Sequence, residues 1–157
     1  MPENTAFLAE RLRVEGEKTH LFFAGLCPSQ WQLTVYSDGE VWTVRNVLSH
    51  FITAEEGFLQ IFREICSGGN GVSEHFDFDR YNAIQQTKTK DLTIAELLDG
   101  FKSVRSQMIL LVISMGDEDL VRKGRHPYLG ITSLREMIKM LYRHNQIHYR
   151  DLRKLLE

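Results

Sequence analysis

His144 and His148 lie four residues apart in the last part of the chain, and together they could bind one metal ion. Positions i and i+4 are neighbours on a helix surface, so a helix here would place the two imidazoles together on one face. Neutral imidazole is a frequent ligand of divalent transition metals. The alternative interpretation is that both histidines are partly exposed and hydrogen-bonded to their neighbours, as in many helices with this spacing.

His50 is the candidate for a third ligand. Ala54 and Gly57, on the same flank of a predicted helix, are small enough to leave room beside its imidazole. Taken alone, a histidine beside an apolar face is more often a satisfied core residue. Together, His50, His144 and His148 indicate a three-histidine site with coordination positions left open, as in catalytic metal centres.

Four long segments with apolar residues at helical spacing must position these histidines. They cover about 5–26, 43–66, 93–115 and 133–156, and a short helix to about residue 90 lies between the second and third. Residues 30–39 are expected to be a loop or a short extended segment, and residues 117–131 a connecting loop. The predicted fold is an all-α four-helix bundle with long inter-helix connections. Connections of this length allow crossovers, so the topology stays open.

Length and composition are those of an ordinary globular domain. The chain has 157 residues, of which 43% are apolar, and a single domain over residues 1–157 is expected. Cys27 and Cys66 have no CxxC spacing, so neither a disulfide framework nor a thiolate zinc site is predicted.

Charge and hydropathy indicate which classes of partner the protein would bind and where in the cell it would be located. Nineteen basic and 21 acidic residues give a net charge of −2, so no nucleic-acid partner and no membrane partner are expected. The first residues carry charges where a signal peptide would have its apolar run, and no segment approaches a membrane span. A cytoplasmic location is therefore predicted.

Three sequence motifs carry a family resemblance. Residues 42–51 (WTVRNVLSHF) resemble the pattern W-[ST]-x-x-x-x-[LI]-x-H-[LF], which begins the second helix in the DinB/YfiT-like superfamily. Residues 79–82 (DRYN) are similar to its D-x-x-N segment. Residues 134–155, with the spacing His144-x-x-x-His148 and the trailing HYRDLR, resemble its final helix. The motifs occur in the expected order over nearly the whole chain.

The resemblance implies a helical bundle, a homodimer, and one divalent nickel or zinc ion per chain bound by His50, His144 and His148. It also implies a metal-dependent transferase or hydrolase acting on a small molecule, in several members with a low-molecular-weight thiol such as bacillithiol or mycothiol. Related mycothiol-dependent isomerases have a carboxylate among the three ligands, whereas position 144 here is histidine. An all-imidazole set leaves the ion its full charge, which favours a bound hydroxide or thiolate equally. The alternative is a non-catalytic stress-response or ligand-binding module with a structural or opportunistic metal.

Other side chains near the histidines in sequence are weaker candidates. Glu55 or Glu56 could act as a general base, although a solvated or salt-bridged carboxylate is favoured. Tyr142 and Tyr149 flank the histidine pair and could donate a hydrogen bond to a ligand, although aromatic residues at a helix interface more often pack.

Overall fold

A computed structural model describes residues 3–157, which contain four long helices, one short helix and two small antiparallel sheets. The helices are α1 (Thr5–Ala24), α2 (Val44–Cys66), α3 (Phe78–Thr89), α4 (Ile94–Ser114) and α5 (Leu134–Leu156). The strands are β1 (Thr34–Tyr36), β2 (Trp42–Thr43), β3 (Lys123–His126) and β4 (Gly130–Ser133). Short 3-10 turns at Gln30–Gln32 and Asp119–Val121 precede the two sheets.

Side-chain caps begin the four long helices where the sequence predicts. Asn4, Thr43, Thr93 and Ser133 each accept a hydrogen bond from the backbone N–H three residues later. Such bonds satisfy amides that have no partner within the helix. Asn46 completes a capping box, because its side chain accepts from the backbone N–H of Thr43. The three histidines lie on α2 and α5, and the first residue of each of these helices is therefore determined by a nearby capping side chain.

The long helices form the predicted four-helix bundle. Both α1 and α2 pack against α4 and α5, so α1 and α2 lie on a diagonal although they follow each other in sequence. Fully buried side chains from all four helices meet in one core, among them Leu12, Phe62, Phe101 and Met137. No helix within residues 3–157 is long and apolar enough to cross a membrane.

The two sheets differ from the sequence prediction of loops. Residues 117–131 were expected to connect two helices without strands, but β3 pairs with β4 from Lys123 opposite Ser133 to His126 opposite Gly130. β1 lies in the segment 30–39, where a loop or a short extended segment was expected, and it pairs with β2 at the residues just before α2. Strands of two to four residues are too short to show an apolar alternation, which is why the sequence did not reveal them.

The bundle consists of two halves with the same order of elements: long helix, 3-10 turn, hairpin, long helix. In each half, the backbone N–H of the first residue in the later long helix donates a hydrogen bond to the backbone carbonyl oxygen of the residue after the 3-10 turn. Val44 donates to Leu33 at 3.0 Å, and Leu134 donates to Arg122 at 2.8 Å. The hairpins therefore tie the starts of α2 and α5 to the preceding chain in the same way.

A buried ion pair joins three of the long helices. The Arg105 guanidinium of α4 donates to both Glu55 carboxylate oxygens at 2.8 Å and to the Leu12 carbonyl oxygen at 2.9 Å. Gly16 makes room for this arginine, because an added Cβ would lie 2.9 Å from Arg105 Cγ. Such a pair is costly to break, since removal of one partner leaves the other charge buried alone.

We expect Glu55→Ala to lower the free energy of unfolding by about 3–5 kcal/mol, because Arg105 would lose its only bidentate partner in the described residues. The matched control is Glu17→Ala, which removes an exposed pair with Arg13 and should cost less than about 1 kcal/mol. Urea unfolding of both variants measures the difference. Equal losses would contradict a structural role for the buried pair.

Candidate metal centre

The three predicted ligands meet where the first half of α2 packs against the second half of α5. His50 Nε2 lies 3.3 Å from His144 Nε2, which lies 2.9 Å from His148 Nε2. One ring nitrogen of each residue lies within 4.8 Å of the others. His144 and His148 occupy successive turns of one helix face, as the spacing predicts, and His50 faces them from the neighbouring helix. The structure therefore brings together all three residues.

Hydrogen bonding among the histidines alone cannot satisfy this arrangement. A ring nitrogen carries either one proton or one lone pair in the ring plane, so His144 Nε2 can serve only one of its two neighbours. A cation would accept all three lone pairs. Two nitrogens at about 2.0–2.1 Å from one ion lie about 2.8–3.4 Å apart for coordination angles between right-angled and tetrahedral. The observed distances of 2.9 and 3.3 Å fit that range.

Aromatic side chains surround the three histidines. Ring centroids lie 4.8 Å apart for Trp42 and His50, 5.7 Å for Phe51 and His148, and 6.1 Å for Tyr128 and His144. Burial lowers the pKa of His50 well below its usual value, and the nearby histidines lower it further. Burial, followed by the effect of His148, lowers the pKa of His144 to about 3. These two imidazoles are neutral at pH 7, which is the form that binds metals.

His148 makes a second contact on its other ring nitrogen. Tyr36 Oη lies 2.8 Å from His148 Nδ1 and 2.5 Å from the Asp151 carboxylate oxygen Oδ2. Burial and the neighbouring carboxylate raise the pKa of Tyr36 above its usual range, so the phenol keeps its proton. Tyr36 lies on β1, in the segment that was expected to be a loop or a short extended segment. Asp151 lies three residues after His148 on α5, about one helical turn away. Neither side chain was a site candidate from the sequence, although Asp151 lies within the HYRDLR part of the final-helix motif.

His126 is a further histidine near the site, buried like His50, that the sequence analysis did not single out. Its Nδ1 accepts the backbone N–H groups of Tyr128 at 3.0 Å and Leu129 at 3.2 Å, which close the β3–β4 turn. Its ring stacks on Phe58 with centroids 5.0 Å apart. Together with His144 it lines a cavity of about 20 Å³ between α2, α5 and the hairpin. It is not one of the three clustered histidines.

The other sequence candidates lie elsewhere. Glu55 pairs with Arg105, which confirms the salt-bridge alternative over a role as a base. Glu56 is outside the histidine cluster, and partial burial raises its pKa. Tyr142 packs under the Arg11 guanidinium, and Tyr149 packs edge-on against an α1 phenylalanine. Both tyrosines follow the packing interpretation, and it is Tyr36 that contacts a site histidine.

Comparison with known proteins identifies the family of this chain and shows which solved structures have a similar fold. The sequence profile of the DinB superfamily matches residues 11–152, whereas no curated protein sequence matches the chain. YfiT from Bacillus subtilis, described as a probable metal-dependent hydrolase with an unusual four-helix bundle topology, has a TM-score of 0.79 at 18% identity, covering 99% of this chain and 87% of that one. A mycothiol-dependent maleylpyruvate isomerase has a TM-score of 0.78 at 12% identity, covering 97% of this chain and 61% of that one. At these identities the structural likeness shows the fold alone.

A third similar structure corrects the expectation about nucleic acid. The colibactin self-resistance protein ClbS was solved in complex with double-stranded DNA, and it has a TM-score of 0.75 at 16% identity, with 98% of each chain covered. The expectation of no nucleic-acid partner was drawn from the total charge of the chain, and this finding contradicts it. A net charge of −2 describes the whole surface, whereas contacts with phosphates depend on where the basic side chains lie.

We expect the metal-free protein to lose stability as the pH falls below about 6.5, and His126 to contribute to that loss. Burial lowers the pKa of His126 from 6.5 to about 4. The unfolded chain therefore binds a proton that the folded chain does not, and unfolding becomes easier by at most about 1.4 kcal/mol per pH unit in that window.

His126→Asn is the matched variant, because the asparagine side-chain oxygen can still accept the turn amides while no group titrates there. Urea unfolding at about pH 7 and about pH 5, with chelator present, should show a smaller loss for this variant than for the wild type. An identical loss in the two proteins would contradict the buried neutral state of His126.

Proposed function

Because the chain belongs to the DinB superfamily, we propose that it binds one divalent ion, nickel or zinc, through His50, His144 and His148. We further propose that the bound ion serves a transferase or hydrolase reaction on a small molecule, with a low-molecular-weight thiol or water as the activated group. One observation carries the proposal: three ring nitrogens from two helices lie within 4.8 Å of one another, and the two distances from His144, 2.9 and 3.3 Å, suit a shared cation.

The donor set favours a reactive rather than a closed site. Three neutral imidazoles leave coordination positions free and do not reduce the charge of the ion. A divalent ion held there would supply the positive charge that lowers the pKa of a bound water or thiol. The chain itself orients the imidazoles, keeps His50 neutral by burial, and surrounds the site with the rings of Trp42 and Tyr128.

The placement of Glu55 supports a second candidate, a ligand-binding module without chemistry. Glu55 is five residues beyond His50 on α2, and its carboxylate pairs with Arg105, so it is not available as a base. Metal-loaded protein incubated with bacillithiol, mycothiol and small electrophiles or esters separates the two candidates. Turnover that is lost in His50→Ala supports the enzyme, whereas ligand binding without turnover across the panel supports the module.

The core arrangement supports the proposal that residues 1–157 form a single domain, since buried residues of all the long helices belong to one cluster. The homodimer and the cytoplasmic location expected from the sequence stay predictions.

We expect protein purified without an affinity tag to contain about one nickel or zinc ion per chain, measured by elemental analysis. His50→Ala should weaken zinc binding by more than about 100-fold, because loss of an outer partner alone costs about 10–100-fold. The control is His75→Ala, which removes a histidine whose side chain is 87% exposed. Retention of the ion in His50→Ala at wild-type affinity would contradict the proposed site.

A further inference from the structure

The contacts of Tyr36 fix where the protons lie around His148. A carboxylate only accepts hydrogen bonds, so the single hydroxyl proton of Tyr36 is donated to Asp151 across 2.5 Å. The tyrosine oxygen must then accept from His148 Nδ1–H across 2.8 Å. A neutral imidazole with its proton on Nδ1 has its lone pair on Nε2. That lone pair is on the atom that faces His144 Nε2 at 2.9 Å.

The first sheet is built to keep Tyr36 in this place. Tyr36 on β1 lies opposite Trp42 on β2, and the two rings contact different histidines. Tyr36 contacts His148 on α5, and Trp42 contacts His50 on α2. Since Thr43, the next residue after Trp42, caps α2, the sheet is tied to both helices that carry the histidines.

We propose that Tyr36 and Asp151 are positioning residues that hold His148 in the tautomer whose Nε2 lone pair is available to a metal ion. The inference rests on the metal site proposed above and goes beyond it, because it assigns a role to a side chain of β1 and to a second residue of α5. A partner on the outer nitrogen of a metal-binding histidine fixes the ring orientation and raises its basicity.

Removal of either residue has a distinct predicted effect on the proton of His148. Tyr36→Phe removes the only acceptor for Nδ1–H among residues 3–157, so the preference for this tautomer is lost. Asp151→Ala leaves the hydroxyl of Tyr36 free to donate to Nδ1 instead. The proton of His148 then moves to Nε2, the atom that must be deprotonated to bind a metal.

The first measurement needs no metal. Nitrogen-15 NMR of the chelator-treated protein near pH 7.5, with His148 assigned by comparison with His148→Gln, reports which ring nitrogen carries the proton. We expect Nδ1–H in the wild type, a mixture in Tyr36→Phe, and mostly Nε2–H in Asp151→Ala. A wild-type His148 that carries its proton on Nε2 overturns the proposal, whether or not the protein binds metal.

The second measurement is zinc affinity by competition with a chromogenic chelator, together with the visible spectrum of the cobalt-loaded protein. Tyr36→Phe and Asp151→Ala should bind zinc about 10–100-fold more weakly than the wild type and change the cobalt spectrum. Tyr149→Phe is the matched control, because this ring lies on the same helix, packs against Phe22 and should leave affinity and spectrum unchanged.

The outcomes separate this proposal from the proposed metal site. A wild type that binds no zinc overturns the metal site, while the NMR result still decides the proton assignment. A wild type that binds zinc, with both variants at wild-type affinity, overturns the positioning role. Tyr36→Phe could bind zinc more weakly only because it is less stable, and thermal unfolding shows whether it is. In that case the zinc affinity of Asp151→Ala and the tautomer of His148 in the wild type decide whether the positioning role holds, since neither depends on Tyr36→Phe.

Discussion

The contact between α2 and α5 is the feature on which the site depends. It brings three imidazole nitrogens, one from His50 on α2 and two from histidines on α5, within 4.8 Å of one another in an aromatic environment, with His144 at hydrogen-bond distance from both of the others. Because a ring nitrogen can satisfy only one partner, the cluster is unfavourable for histidines alone and favourable for a shared cation. The rest of the structure serves to keep the two helix faces in that relation.

The histidines at the contact between α2 and α5 are positioned by a few hydrogen bonds and one ion pair in addition to the packing of the apolar core. The hairpins tie the starts of α2 and α5 to the preceding chain, and the Arg105–Glu55 pair fixes the middle of α2 against α4. His126 closes the second hairpin through its Nδ1, and Tyr36 extends from the first hairpin to His148. Each of these bonds is directional, so together they restrict the position of the histidines more closely than apolar packing would.

Much of the bundle and the adjacency of His144 and His148 could be predicted from the sequence, because both depend on local rules. His50 lies 94 positions from His144, and the family resemblance was needed to support its place in the site. Helical periodicity and caps such as Thr43 and Ser133 act over a few residues, and the spacing of His144 and His148 is itself a helical signal. The partners from the hairpins could not be predicted in this way. Tyr36 reaches His148 across 112 positions of sequence, in a strand too short to show a pattern. Total charge was also a poor guide to partners, as the DNA complex of a protein with this fold shows.

X-ray absorption spectroscopy of the zinc- or nickel-loaded protein tests the central claim most directly, because it reports the atoms bound to the ion. We expect three imidazole nitrogens at about 2.0–2.1 Å from the ion, together with one or more exchangeable oxygen ligands. In His50→Ala, the imidazole contribution should fall to two. A first shell made only of oxygen atoms, or a spectrum unchanged in that variant, would contradict a metal site built from His50, His144 and His148.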